Sequence, residues 1–423
     1  MAYYHSKISE RSSSSIFSVC KVVVVLTIVF LNCILTSLQA QVLIAVKNQD
    51  KTIKSLRPGD MQLEKYLPLL KGKKIALVAN QTSVIGNTHL VDTLRGLQMD
   101  IKVIFAPEHG FRGNADAGEH VENMMDAKTG IPVVSLYGSH YMPTSDELKG
   151  IDVVVFDIQD VGVRFYTYIS TLHYLMEACA ANKVKLLILD RPNPNGFYVD
   201  GPMLDPQFKS FVGLDLVPLV YGMTMAEYAL MLNGEHYLRD SLFCQLEFVK
   251  VDNYVHSDFF ELPVKPSPNL PNMASINLYP SLGLFEGTVV SVGRGTDKPF
   301  QVIGNPKYTK GSYSFTPRSI PGASKNPPFK GVECKGYDLS LFGDVYIRNS
   351  KKIYLFWLKD FYDQYPVKKK FFNDFFDKLA GTDVLRKQII NGDSEEKIRA
   401  SWQADIKKFK AIRKKYLLYD DFE

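Results

Sequence analysis

Residues 102–113 read KVIFAPEHGFRG, and the fold turns on how this stretch is read. Its first half, Val103-Ile104-Phe105-Ala106, is apolar without alternation. Its second half gathers a proline, a glutamate, a histidine, two glycines and an arginine. A short apolar run rich in β-branched and aromatic residues suits a strand buried on both faces of a parallel sheet. Reactive side chains directly behind it fall where such sheets place ligands, beyond the carboxyl ends of the strands.

The pattern recurs on both sides. Residues 74–79, 132–136, 152–157 and 185–189 are further apolar runs, and 89–97 and 171–182 have the spacing of helices. Strands alternating with helices predict an α/β fold, a Rossmann-like, doubly wound and mostly parallel sheet. Five strand exits should then converge on one edge. They carry Asn80-Gln81-Thr82, Pro107-Glu108-His109-Gly110, Tyr137-Gly138-Ser139, Asp157 to Asp160, and Asp190-Arg191-Pro192-Asn193. From about residue 265 the texture changes. A proline-rich crossover, 265–271, leads to a Gly-rich segment with Glu286 and Arg294, then to a helical end in which Trp402, Ile406, Phe409, Ile412 and Tyr416 share a face. The expected organisation is a signal segment (1–40), a lead-in (41–70), a Rossmann-like domain (71–270) and a second, smaller α+β domain closing the cleft (271–423).

The chain has 423 residues, 46% hydrophobic and 22% charged, with a net charge of +5. That charge is too small and too dispersed to argue for nucleic acid, and the basic residues near the C-terminus read as the wet side of an amphipathic helix. The first 40 residues differ. Lys7, Arg11 and Lys21 precede an apolar run from Val22 to Leu38, with a small-residue exit at Ala40. This describes a secretory signal peptide and predicts a periplasmic or secreted protein. A retained membrane anchor is the alternative, although the run is short of the roughly 20 residues of a span. Cleavage after Ala40 leaves Cys179, Cys244 and Cys334, too few for a disulfide framework.

Candidate sites follow from the exits. The turn after the first run, Ala79 to Ser83, has no glycine, so the dinucleotide fingerprint is missing, and no GxxxxGK[ST] occurs. No cofactor is expected. Glu108, partly desolvated beside a proline, suits a general acid; it could equally cap the next turn, with His109 bonded to backbone. His109 with Glu119 and His120 offers a metal-dependent hydrolase as an alternative, but the spacing fits no strong metal motif. In FDIQDVGVRFYTY (156–168), Asp157 and Asp160 straddle a strand end. Arg164 could fork a substrate carboxylate, and Tyr166 and Tyr168 could stack on a sugar, or all of these could be core. Asp190 and Asn193 lie in a rigid turn. Glu286 and Arg294 could close the cleft from the far side.

Taken together, LVANQTS (77–83), VIFAPEHGFRG (103–113), VVFDIQDVGVRFYTYISTL (154–172), LDRPNPNG (189–196), PSPNLPN (266–272), FEGT (285–288) and GRGTDKPF (293–300) resemble, in order, the NamZ family of exo-β-N-acetylmuramidases, formerly of unknown function. The resemblance covers roughly residues 70–423. It implies a Rossmann-like domain, a smaller C-terminal domain and a cleft between them. It implies release of β-1,4-linked N-acetylmuramic acid from the non-reducing end of peptidoglycan fragments, with Glu108 catalytic and no metal or nucleotide. The partners expected are peptidoglycan-derived saccharides, and a membrane only if the signal segment is retained. The lactyl carboxylate of the substrate gives Arg112, Arg164, Arg191 or Arg294 something to recognise. Glycoside hydrolysis usually needs two carboxyl groups. Asp160 is the first candidate beside Glu108, with Asp157, Asp190, Glu286 or the substrate's acetamido group as alternatives. Asn80, His109, Arg112, Arg164, Tyr166, Tyr168, Asp190, Asn193, Glu286 and Arg294 are expected to bind substrate. A non-catalytic muropeptide-binding protein is the reading from another class.

Overall fold

The apolar runs have no polar face to turn to water, so each is covered on both sides, and they pair into one seven-stranded sheet. The computed structural model describes residues 55–108, 110–111 and 123–423. Residues 1–40, expected to be a signal peptide, therefore lie outside the described residues. The strands are β1 (Lys74–Ala79), β2 (Asp100–Ala106), β3 (Met124–Met125), β4 (Pro132–Ser135), β5 (Val153–Asp157), β6 (Lys185–Leu189) and β7 (Leu246–Val249). Their spatial order is β7-β6-β5-β1-β2-β4-β3, parallel throughout except for the short edge pair of β3 with β4. The six parallel strands thus follow the doubly wound order 3-2-1-4-5-6, and the switch point opens between β1 and β5.

Successive residues of each strand feed two separate cores. Ala76, Val78, Val154, Phe156, Leu186 and Ile188 pack with α3 (Tyr168–Asn182) and α4 (Met225–Gly234). Ile75, Leu77, Val153, Val155 and Leu187 pack with α1 (Leu63–Leu70) and α2 (Leu90–Gly96) on the other face. β7 was not foreseen in the sequence. Its Leu246, Glu247 and Phe248 are only half-buried at the sheet edge, so no apolar run marks it.

The second half begins with α5 (Met273–Leu282) and carries a small antiparallel sheet. In it β10 (Cys334–Asp338) lies between β8 (Val302–Asn305) and β9 (Tyr313–Phe315). It ends in helices that include α6 (Phe356–Gln364), α7 (Phe375–Ala380) and α8 (Glu395–Arg413). On α8, Trp402, Ile406 and Phe409 are buried, as the periodicity requires. Residues 56–423 form one compact unit, and the larger core runs through both halves. Asp200, for example, accepts from Arg399 at 2.9 Å and from Trp402 at 3.2 Å.

Two buried polar centres fix the frame around the cleft. The Arg164 side chain is fully enclosed. Its Nη1 donates to the carbonyls of Pro202 (2.9 Å) and Val217 (2.8 Å), and its Nη2 to those of Leu379 and Ala380. One guanidinium thereby joins the parallel-sheet half to the end of α7. His173, on α3, is held between Asp215 (2.8 Å) and Glu177 (3.2 Å), and Asp215 also accepts from Tyr228 of α4 at 2.9 Å. Burial alone would push this imidazole down. The hydrogen bonds and charges of the two carboxylates outweigh it and hold His173 up at about 9, against an ordinary 6.5.

Arg164→Met leaves four buried carbonyls without their donor, and should lower the unfolding free energy by roughly 3 kcal/mol or more in urea titrations. His173 gives a pH signature. Its pKa is raised by folding, so its contribution is fully present below pH 6.5 and is lost as pH rises through about 9. The urea midpoint should fall across that window by the equivalent of about 3 kcal/mol, and His173→Gln should flatten that part of the profile.

Candidate functional site

Pro107 ends the ladder of β2, and Gly110, at φ 74°, turns the chain so that its N–H returns to the Pro107 carbonyl at 3.0 Å. Glu108 projects from this turn, half-buried, into a cleft of about 630 Å³. That volume lies within the roughly 300–1,000 Å³ of small-molecule sites. Thr167 Oγ1 donates to Glu108 Oε2 at 2.9 Å, and the Tyr137 hydroxyl also hydrogen-bonds the carboxyl. Burial first, then the Glu108 charge, raises the Tyr137 phenol, so it remains a donor. The Tyr168 hydroxyl reaches the Glu108 carbonyl at 3.4 Å and accepts from Asn80 Nδ2 at 2.9 Å. Thr167 and Tyr168 open α3, so the carboxyl stands at the positive end of that helix.

The facing wall comes from the second half of the chain. Glu286 leaves the turn after α5 and accepts from Arg294 Nε at 2.7 Å. Burial would lower the Arg294 guanidinium, but the Glu286 carboxylate, with smaller help from Tyr279 and Glu108, raises it. Gly293 and Gly295 flank Arg294, both at φ 78°. A Cβ on either would lie 2.6 Å from Val302 or 2.5 Å from the Arg318 carbonyl, which explains the GRG sequence. The Arg294 guanidinium also lies 5.0 Å over the Phe300 ring. The proline-rich crossover passes between the walls. Tyr166 donates to the Pro266 carbonyl at 2.8 Å, and Ser267, Asn269 and Leu270 line the cleft.

The sequence-derived set divides. Glu108, Tyr166, Glu286 and Arg294 line the cleft, and Asn80 and Tyr168 stand behind Glu108. Arg164 requires a correction: it is fully buried off the cleft lining, and its Nη1 and Nη2 groups are taken up by backbone carbonyls, so no fork is presented to a substrate carboxylate. Asp160 also lies off the cleft surface, buried, accepting from the Gly162 N–H at 2.6 Å and from the Tyr221 hydroxyl. Burial pushes it up to about 6, against the pull of those bonds. Asp190 is enclosed, bonded to the Ala226 N–H (3.0 Å) and the Tyr419 hydroxyl (2.6 Å). Asn193 ties its own turn, bonding the Asn195 N–H and the Met223 carbonyl, each at 2.9 Å. Arg191 is held in the core by Asp157 (2.7 Å) and Asp60 (2.8 Å). The physical reason is common to all: a buried polar group seeks a partner, and these pair with other buried side chains or with backbone. His109, Arg112, Glu119 and His120 lie outside the described residues. Among the described residues, no cluster of three or more His, Cys, Asp or Glu is arranged to hold a metal.

Tyr137 and Thr167, which hold Glu108, were not assigned a role from sequence, and neither was the 323–328 loop, which lines the cleft through Ser324, Lys325 and Asn326. The first two stood in plain view, Tyr137 at a strand exit and Thr167 inside the FYTY motif. No sequence signal marks the loop.

Comparison with known proteins agrees with this architecture. Residues 75–274 match the family model described as exo-β-N-acetylmuramidase NamZ, N-terminal, and residues 277–419 match the corresponding C-terminal model. The chain is 42% identical, over 394 residues, to the peptidoglycan β-N-acetylmuramidase NamZ of Bacillus subtilis (strain 168), covering 88% of this chain and 94% of that one. It is similar to the crystal structure of a DUF1343 family protein from Bacteroides fragilis NCTC 9343, with TM-score 0.81 and 48% identity over 87% of this chain and 100% of that one. A second DUF1343 family structure from the same organism gives TM-score 0.73 and 28% identity over 86% and 99%. With both halves matched in order and the fold shared, this chain belongs to the NamZ family of exo-β-N-acetylmuramidases and is a glycoside hydrolase.

Proposed function

We propose that the protein removes β-1,4-linked N-acetylmuramic acid from the non-reducing end of peptidoglycan fragments, with Glu108 as the general acid. The observation that carries this is the placing of Glu108. It is held by Thr167 and Tyr137 at the cleft surface, while the acidic residues of the β5 and β6 exits are enclosed. The name of the B. subtilis relative supports the substrate class.

In this reaction the bond between C1 of the muramic acid and the oxygen of the next sugar breaks. Glu108 gives its proton to that oxygen, and water supplies the new hydroxyl at C1, its other proton returning to the carboxyl pair and so restoring the acid. Thr167 and Tyr137 fix the carboxyl so that its proton points at the leaving oxygen. Besides Glu108, Glu286 is the one carboxyl lining the cleft among the described residues, and it takes the second role that Asp160 was expected to fill. Its Arg294 partner brings positive charge to the same wall, where the lactyl carboxylate of the substrate would be received. The basic and apolar character of residues 7–40 supports export, so the enzyme would meet cell-wall fragments outside the cytoplasm.

Glu108→Gln keeps the hydrogen-bonding shape and removes the transferable proton. It should lower kcat on N-acetylmuramic acid β-1,4-linked to N-acetylglucosamine by about 10²–10⁴-fold, followed as sugar release by NMR; wild-type rates in this variant would end the assignment. Export has its own check. Intact mass of the protein recovered from the cell envelope or medium should match a chain beginning at Gln41, and a full-length mass would show the segment retained.

A further inference from the structure

Three half-buried aromatic rings stand close together, and the reading above gives them no role. Tyr141 comes from the loop after β4, Tyr174 from α3 and Phe211 from a tight turn closed by reciprocal bonds between Ser210 and Gly213 at 2.9 and 3.0 Å. The rings are nearly parallel. Tyr141 and Phe211 have centroids 4.3 Å apart at 27°, Tyr141 and Tyr174 6.0 Å at 17°, and Tyr174 and Phe211 6.4 Å at 14°. The cluster joins the cleft directly. Phe211 lines it, and the Tyr137 ring, whose hydroxyl bonds Glu108, meets Phe211 edge-on at 5.9 Å.

We propose that Tyr141, Phe211 and Tyr174 form the seat for the departing saccharide, the sugar on the reducing side of the cleaved bond. This rests on the muramidase reading. The argument is one of direction. The sugar to be released needs the cationic wall, Arg294, for its carboxylate. The acid that protonates the linking oxygen must lie between that sugar and the next. The chain of saccharide therefore leaves past Glu108 and Tyr137, onto the rings. A β-linked N-acetylglucosamine presents flat faces of C–H bonds, whose positive edge matches the negative face of an aromatic ring. Three rings drawn from separate segments and already packed on each other lose little freedom when a sugar settles on them.

The experiment compares two glycosides of N-acetylmuramic acid. One is the β-1,4-linked disaccharide with N-acetylglucosamine; the other carries 2,2,2-trifluoroethanol, an activated leaving group too small and too little aromatic to use the seat. Tyr141→Ala should lose about tenfold or more in kcat/KM on the disaccharide, mostly through KM, and change by less than about threefold on the trifluoroethyl glycoside. Tyr141→Phe, which keeps the ring, should restore the disaccharide. Tyr174→Ala serves as the second variant if the first does not fold. Equal losses on both glycosides, or unchanged disaccharide KM in both variants, would overturn the seat. A wild-type enzyme that hydrolyses neither glycoside would instead remove the muramidase reading, and the seat with it.

Discussion

A buried guanidinium cannot keep its water, so every N–H it loses to the interior must find an oxygen there. Arg164 meets that constraint at Nη1 and Nη2, though not at Nε, with carbonyls from three separate stretches of chain, at 202, 217 and 379–380. The consequences reach the cleft from both sides. Phe165, Tyr166 and Thr167, the next three residues, line one wall, and Leu379 lines another. Gly381, beside the guanidinium at φ 73°, has no room for a side chain: a Cβ there would lie 2.4 Å from Arg164 Nη2. The residue that looked most like a substrate fork is thus the pin that sets the distance between the walls.

The strand exits follow the same logic one level up. Polar residues collect at the carboxyl ends of β1, β5 and β6, but burial makes them satisfy one another first. Arg191 bridges Asp157 and Asp60, and burial still pushes Asp157 up to about 7 in spite of that cation. Asp160 leans on Tyr221, and Asp190 on Tyr419. What these groups give up in chemistry they return as a rigid edge to the sheet. Glu108 escapes because its exit meets the start of α3 and the Tyr137 loop at the surface of the cleft, where donors hold it without enclosing it.

This marks where the sequence was readable. The apolar runs announced buried strands, because a strand covered on both faces has no reason to alternate, and the parallel sheet and its working edge followed from that alone. The edge strand β7, with Glu247 in its middle, carried no such mark. At the site, residue type nominated every ionisable exit with equal force. Whether Asp160 or Glu286 faces the cleft depends on which buried partner each can find, Tyr221 or none so enclosing, and that partner lies 61 residues away in the first case. Pairings over such distances leave no local trace. The ordered motifs singled out Glu108 where spacing could not.

The turn after β1 is also informative for what fills it. Its amides are taken within the turn: Asn80 N–H bonds Ser83 Oγ at 3.1 Å, Thr82 N–H bonds Asn80 Oδ1 at 2.9 Å, and Ser83 N–H bonds the Asn80 carbonyl at 3.0 Å. In a dinucleotide fold that turn and the helix behind it cradle a phosphate. Here α2 begins only at Leu90, and the helix whose positive end looks into the cleft is α3, after β5. The helix-end field that a dinucleotide fold directs at a nucleotide's anion is directed here at the protein's own carboxyl, so that the same electrostatic device serves a residue rather than a ligand.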